Sequence, residues 1–332
     1  MNRKSKFSLF ILILAIILYI FFIGYKEFYQ LKINKYSIAI ISIVEIEPIA
    51  ELRRGFRQQF ESSNFAKNHN VQFIEFNAQG DSSLINQIAD KMVVDRPDLI
   101  YVLGTPVSQA IQKRAPDLLI LQGAATDPVS AGLADSWEGS GKNYIATSDL
   151  PPVGKQLSLI HDLAPKVTKI GLIYNPSEIN SVAVISRLRD YIIKNNLDYK
   201  LIDRPIANSS DVATALQSML GHVDAIYLPP DNTAYAAIPL IGRFATKNKL
   251  PFFASVDTAL VDGAVATLSL DFVQLGRESA DLALAVLNGE NPTTMPIRVN
   301  ENPRISISKK AAETLGLDIK KYQNRPNVSI VD

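Results

Sequence analysis

The residues of this chain that could do chemistry are short polar groups, Ser, Thr, Asn and Asp, gathered in a few clusters. Tyr174-Asn175-Pro176-Ser177-Glu178-Ile179-Asn180-Ser181 opens an amphipathic pattern. Helix N-termini there present free N–H groups, so a ligand carboxylate would be received by backbone amides with Ser177, Asn180 or Ser181 donating. Thr105, followed by Pro106 at a helix-opening position, makes a similar turn. Ala125-Thr126-Asp127-Pro128 and Ser255-Val256-Asp257 place Thr126, Asp127 and Asp257 where a carboxylate would pair with a ligand ammonium, and Asp231, Asn232 and Thr233 offer the same chemistry. Tyr174 and Phe272 are candidate apolar walls. Each cluster taken alone also fits plain helix capping or turn formation. Their recurrence at equivalent places in two halves of the chain is what points to binding.

Catalytic and metal chemistry find less support. His69, His161 and His222 are scattered without metal-ligand spacing, and the chain has no Cys, which removes thiolate metal sites, cysteine nucleophiles and disulfides. Ser140-Gly141-Lys142-Asn143 fails as a phosphate loop, because Ser136 stands where the first Gly is needed and Asn143 where Ser or Thr is. Neither G-x-G-x-x-G nor G-x-S-x-G occurs. No cofactor or metal is expected, and the chain is read as a non-enzyme.

The elements that must position these residues alternate β-branched runs with helical patterns, the grammar of an α/β protein with parallel sheets. The pattern occurs twice. Ser37–Ser42 matches Lys169–Tyr174 as an opening strand, followed by helices over Ala50–Asn64 and Asn180–Asn195. Helices opening at Asp81 and Asn208 and running through Val93 and Leu220 come next, then strands Asp98–Leu103 and Asp224–Leu228, then Leu118–Gln122 and Leu250–Ala254. The offset stays at about 126–132 residues throughout. Two Rossmann-like lobes follow, residues 36–148 and 153–268, with a boundary at Asp149-Leu150-Pro151-Pro152, where two prolines interrupt regular structure. A helix over Phe272–Asn288 and a strand over Ile305–Ser308 lie beyond the repeat, so part of 269–332 completes lobe 1, with crossovers near 149–152, 267–271 and 297–305.

The 332 residues suffice for two cores, with 47% hydrophobic and 20% charged residues. The net charge of +1 hides a split: residues 1–35 hold six basic side chains and one acid, leaving 28 basic and 32 acidic residues in the body. An acidic body without a nucleic-acid motif argues against a nucleic-acid partner. Phe7 to Tyr25 carries no charge and at 1.5 Å per residue nearly spans a bilayer's hydrocarbon. Arg3, Lys4 and Lys6 precede it, which keeps the N-terminus cytoplasmic and puts the body outside. An N-terminal membrane anchor is expected, with a cleaved signal peptide as the alternative.

Four runs carry a family resemblance: Ala125–Leu133, Ser148–Leu157, Tyr174–Ser181 and Val223–Thr233. Over about residues 36–318 the chain resembles the ABC-transporter substrate-binding family that includes tryptophan- and tyrosine-uptake proteins. The resemblance implies a type I periplasmic-binding-protein fold, hinge closure on a small ligand, and an ABC permease as partner. It also implies that Thr105, Thr126, Asp127, Ser177, Asn180, Ser181, Asp231, Asn232 and Asp257 line the cleft. One departure is Glu47-Pro48, where relatives commonly have His-Pro. The expected ligand is an amino acid, the aromatic class included; a membrane-tethered sensory ectodomain and an extracytoplasmic enzyme on the same scaffold are the rival readings.

Overall fold

The structure, a computed structural model, describes residues 13–25, 35–300 and 303–332. The first half supplies strands β1 (Lys35–Ser42), β2 (Asn70–Asn77), β3 (Leu99–Leu103), β4 (Ile120–Gln122) and β5 (Tyr144–Ser148). The second supplies β6 (Lys169–Tyr174), β7 (Lys200–Pro205), β8 (Ala225–Leu228), β9 (Phe252–Ala254) and β10 (Ala266–Ser269). The tail adds β11 (Arg298–Val299), β12 (Arg304–Ser308) and β13 (Val328–Val331). They form two sheets, ordered β11-β5-β4-β3-β1-β2 and β13-β12-β10-β9-β8-β6-β7. Pairing is parallel except between β10 and β12, so the molecule is an α/β protein with two parallel-rich sheets, matching the type I periplasmic-binding-protein architecture. The tail is divided between the sheets: β11 joins the first, β12 and β13 the second. The chain therefore passes from one sheet to the other after β5, after β10 and after β11.

The helices that matter for the cleft are α1 (Glu47–Ser62), α2 (Asn64–Asn68), α3 (Ser82–Asp95), α4 (Thr105–Arg114), α5 (Val153–Leu163), α6 (Ile179–Lys194), α7 (Val212–Gln217), α8 (Asn232–Tyr235), α9 (Ile238–Lys247) and α10 (Phe272–Leu287). Their starts are written locally. Asp81 caps α3 by accepting from the Ser83 and Leu84 N–H groups, and Asp271 caps α10 at Gln274 N. The helix expected through Leu220 is shorter: a capping box on Asn208 and Asp211 closes a 3₁₀ turn first, and α7 ends at Gln217.

The duplicated Asp before each central strand has a structural use. Asp98 accepts from Ser37 N and Oγ, and Asp224 accepts from Thr168 and Lys169 N, so each carboxylate pins the first strand of its half to the neighbouring one. Ile38 to Ile41 and all of β3 are buried, as strands covered by helices on both faces must be. Phe56 of α1 stacks on Tyr101 of β3 with ring centroids 4.0 Å apart. One continuous apolar core contains residues of both sheets, from Ile38 and Phe60 to Ile173, Leu216 and Phe252. A second, around Leu172, Leu188 and Phe253, lies in the second lobe alone.

Residues 13–25 are helical with exposed side chains. Among the described residues no helix is long and apolar enough to cross a membrane. The span expected at residues 7–25 falls partly outside the described residues.

Candidate functional site

The carboxyl ends of both sheets face each other across a cavity of about 50 Å³, walled by residues of the opening turns of helices, the loops after strands and the crossovers. Lobe 1 contributes Ile46, Pro48, Ile49 and Leu52 around the start of α1, Thr105 at the start of α4, and Thr126. Lobe 2 contributes Asn180 at the start of α6, with Asp231, Asn232 and Tyr235 after β8. Two crossovers supply Asp149 and Phe272. Parallel sheets place ligand sites at this edge because strand ends, helix N-termini and crossovers converge there.

Hydrogen bonds behind the wall decide which polar atoms remain available. Tyr144 OH donates to Gln122 Oε1 at 2.9 Å, and Gln122 Nε2 donates to Thr105 Oγ1 at 3.1 Å. The Thr105 hydroxyl is thus held as an acceptor on its inner side, leaving its proton for the cavity. Asn180 Nδ2 donates to Pro230 O at 3.2 Å, whereas its Oδ1 is buried without a partner. Asp149 Oδ1 is buried and unpartnered as well. Burial pushes the Asp149 carboxyl up to about 7, against the opposing hydrogen bonds from the Thr126 side chain and its own backbone.

Two further acids are occupied. Glu178 accepts from Asn232 N and Nδ2, from Thr233 N and Oγ1, and from Asn180 Nδ2, so it caps α8 instead of its own helix. Asp231 accepts from Asn175 N and Ala234 N, both at 2.7 Å, and contacts Ser181 Oγ at 2.6 Å. Burial, then the neighbouring Glu178 carboxylate, raise the Asp231 carboxyl well above the usual range. The geometry agrees: Ser181 Oγ also lies 2.8 Å from Pro230 O. One hydroxyl proton cannot serve both contacts, whereas a protonated Asp231 would complete the second.

Of the residues singled out from sequence, Thr105, Thr126, Asn180, Asp231 and Asn232 meet at this cavity, and Phe272 joins them. The others lie off its wall, each with a different engagement. Asp127 is buried and ion-paired with Arg187 of α6 at 2.6 Å, and it accepts from Ser130 N. Burial opposes its charge, but the Ser130 and Arg187 donors outweigh that and hold the carboxyl below the usual range. Asp257 accepts from the Thr267 and Ser306 hydroxyls, tying its turn to β10 and β12. Ser181 is used by Pro230 and Asp231, and Tyr174 packs against the second-lobe core. Ser177 is exposed, its N–H closing a turn on Asn175 Oδ1. At the departure from His-Pro, Glu47 is exposed beside Arg54, and Pro48 forms part of the apolar wall.

In the sequence Asp149 reads only as part of a boundary, and neither Glu178 nor the Ile46, Ile49 and Leu52 wall stands out from its neighbours. An acid directly after a buried strand and before Pro-Pro is the signal that would have found Asp149, since that crossover must border both lobes.

Residues 37–323 match the model of the ABC transporter substrate binding protein family. The chain is 35% identical over 281 residues to a tyrosine-binding protein of Clostridioides difficile, covering 85% of this chain and 81% of that protein. The crystal structure of an ABC domain in complex with L-Trp from Streptococcus pneumonia superposes with a TM-score of 0.84 at 26% identity, covering 90% of this chain and 100% of that one. A ligand-free, open substrate-binding protein with adhesive properties from Clostridium difficile gives 0.68 at 32% identity, over 90% of this chain and 99% of that one. The higher score thus goes with the lower identity. With two lobes, a cleft at the strand ends and this match over most of its length, the chain belongs to the ABC transporter substrate-binding protein family.

Proposed function

We propose that the chain is the extracytoplasmic solute-capturing component of an ABC import system, and that it closes on an amino acid with an aromatic side chain without altering it. The observation that carries this reading is the cavity itself. Polar groups from both lobes converge on it, Thr105 offering a donor and Asn180 an unsatisfied acceptor, beside an apolar wall of Ile46, Ile49, Leu52 and Phe272. A zwitterion with an apolar side chain answers that combination. The relatives named for tyrosine or bound to L-Trp support the same class.

At about 50 Å³ the cavity has room for one or two waters, far below the roughly 300–1,000 Å³ of ordinary ligand sites. A ligand therefore enters only when the lobes part, and the three crossovers act as the hinge. Residues 7–25 would tether the body to the outer face of the cytoplasmic membrane, as a membrane helix next to the permease. Fractionation of the full chain tests that: recovery in the soluble fraction after expression would remove the anchor and favour a cleaved signal.

A thermal-shift screen of the protein against the twenty L-amino acids tests the main reading. At a hundred times Kd a selective ligand adds about 2.7 kcal/mol of apparent stability, and aromatic amino acids should give the largest shifts. No shift with any of them, or turnover of the one that binds, would overturn it.

A further inference from the structure

The cavity wall carries carboxyl groups, and among the described residues no Lys, Arg or His lines it. The acids are not equivalent. Glu178, behind the wall, is saturated by donors from α8 and Asn180, and Asp231 is held by Asn175, Ala234 and Ser181. Asp149 has the Thr126 hydroxyl as its side-chain partner and keeps Oδ1 buried with none. From the second lobe, Asn180, only 4% exposed, brings its own unpartnered Oδ1 to the same cavity. A buried acceptor left unpaired loses the hydrogen bonds that water gave it, so two at one small cavity call for a group that donates to both.

We infer that Asp149 is the ammonium-selecting residue of the cleft: its Oδ1, together with Asn180 Oδ1, receives the primary ammonium of the ligand. This rests on the amino-acid reading above and specifies which end of the ligand decides recognition. A primary ammonium has three donors and a positive charge, matching one carboxylate and one amide oxygen in a wall without a competing cation. The ligand carboxylate is left to neutral donors such as the Thr105 hydroxyl. Because Asp149 sits on the crossover after β5, the contact forms where lobe movement is hinged, which links ammonium capture to closure.

The titratable groups around Asp149 are acidic or phenolic. Tyr235 of α8 feels the charges of Asp149, Asp231 and Glu178 together, and Thr126 is uncharged. Burial keeps the empty carboxyl protonated up to about pH 7, so capture of an ammonium below that pH expels a proton, and affinity rises with pH towards a plateau.

The test titrates the full chain in detergent with L-tyrosine and 3-(4-hydroxyphenyl)propionate, and with L-tryptophan and indole-3-propionate, for wild type and Asp149→Asn at pH 6 and pH 8. Each propionate keeps the ring and carboxylate and lacks the ammonium. Wild type should prefer the amino acid by about 100-fold or more, a site built for a donor rejecting the analogue without it. Asp149→Asn should shrink that ratio below about tenfold and abolish the gain in affinity from pH 6 to pH 8. Its melting temperature without ligand at pH 8 should equal or exceed that of wild type, which separates a binding role from a folding one. A variant that keeps the wild-type ratio, or that loses amino acid and propionate alike, overturns the assignment of Asp149 alone. Failure of wild type to bind any of the twenty L-amino acids overturns the amino-acid reading and this inference with it.

Discussion

Single residues in this cleft are distinguished by what already holds them. Glu178 is buried and stable because five donors surround its carboxylate. Glu178→Ala would strand the Asn232 and Thr233 N–H groups at the start of α8, and chemical denaturation should show a loss of about 3 kcal/mol. Asp149 behaves in the opposite way. Its folded value, about 7, lies above the ordinary carboxylate value, so the folded state holds a proton that the unfolded chain has lost. Stability of the ligand-free protein should therefore fall as pH rises from about 4 to about 7 and level off above. Melting curves over that range should show the fall in wild type and a flatter profile in Asp149→Asn.

At the scale of elements, the close crossing of α1 and α10 sets the shape of the lobe 1 wall. A methyl group at Gly55 would collide with the Val273 carbonyl oxygen, and one at Gly276 with that of Leu52. Both obstacles are backbone and cannot rotate away. The helices meet through these glycines, and in doing so present Ile49 and Leu52 from one and Phe272 from the other to the same cavity. Gly276→Ala should cost about 3 kcal/mol in denaturation and weaken ligand binding as the two helices are forced apart. Here too the legible and the illegible part company. The helix over Phe272–Asn288 was readable from its periodicity and matches α10 closely. The exhausted repeat and the expected crossovers near 267–271 and 297–305 already assign this helix to lobe 1. That β11 pairs with β5, whereas β12 and β13 extend the second sheet beyond β10, depends on which exposed edge each segment finds, information that no local pattern contains.

For the whole molecule, the Asp127–Arg187 pair is the cross-lobe contact with the clearest consequence. Asp127 follows β4 in lobe 1 and Arg187 lies on α6 in lobe 2, so under the proposed hinge closure their bond would exist only while the lobes are together. Arg187→Ala leaves a buried carboxylate unpaired in the closed form. Ligand dissociation should quicken about tenfold with association little changed, as stopped-flow displacement would measure. The lowered Asp127 carboxyl adds a pH sign: the pair supports closure above about pH 4 and is lost as pH falls through the depressed value. Equal dissociation rates in Arg187→Ala and wild type would show that the lobes hold together without it.

By itself the sequence determined the strands, the helix starts and the twofold repeat, because β-branched runs, amphipathic spacing and capping residues act within a few positions of one another. It also placed Thr105, Thr126, Asn180, Asp231 and Asn232 at strand ends, where a parallel sheet puts its ligands. Tertiary structure alone decided which polar groups stay empty. Asp127 and Asp257 are engaged by partners 60 and 49 residues away in Arg187 and Ser306, while Asp149 keeps a free oxygen. A carboxylate's availability depends on every donor that folding brings within about 3 Å. Those donors come from distant segments, and for Asp127 from the opposite lobe.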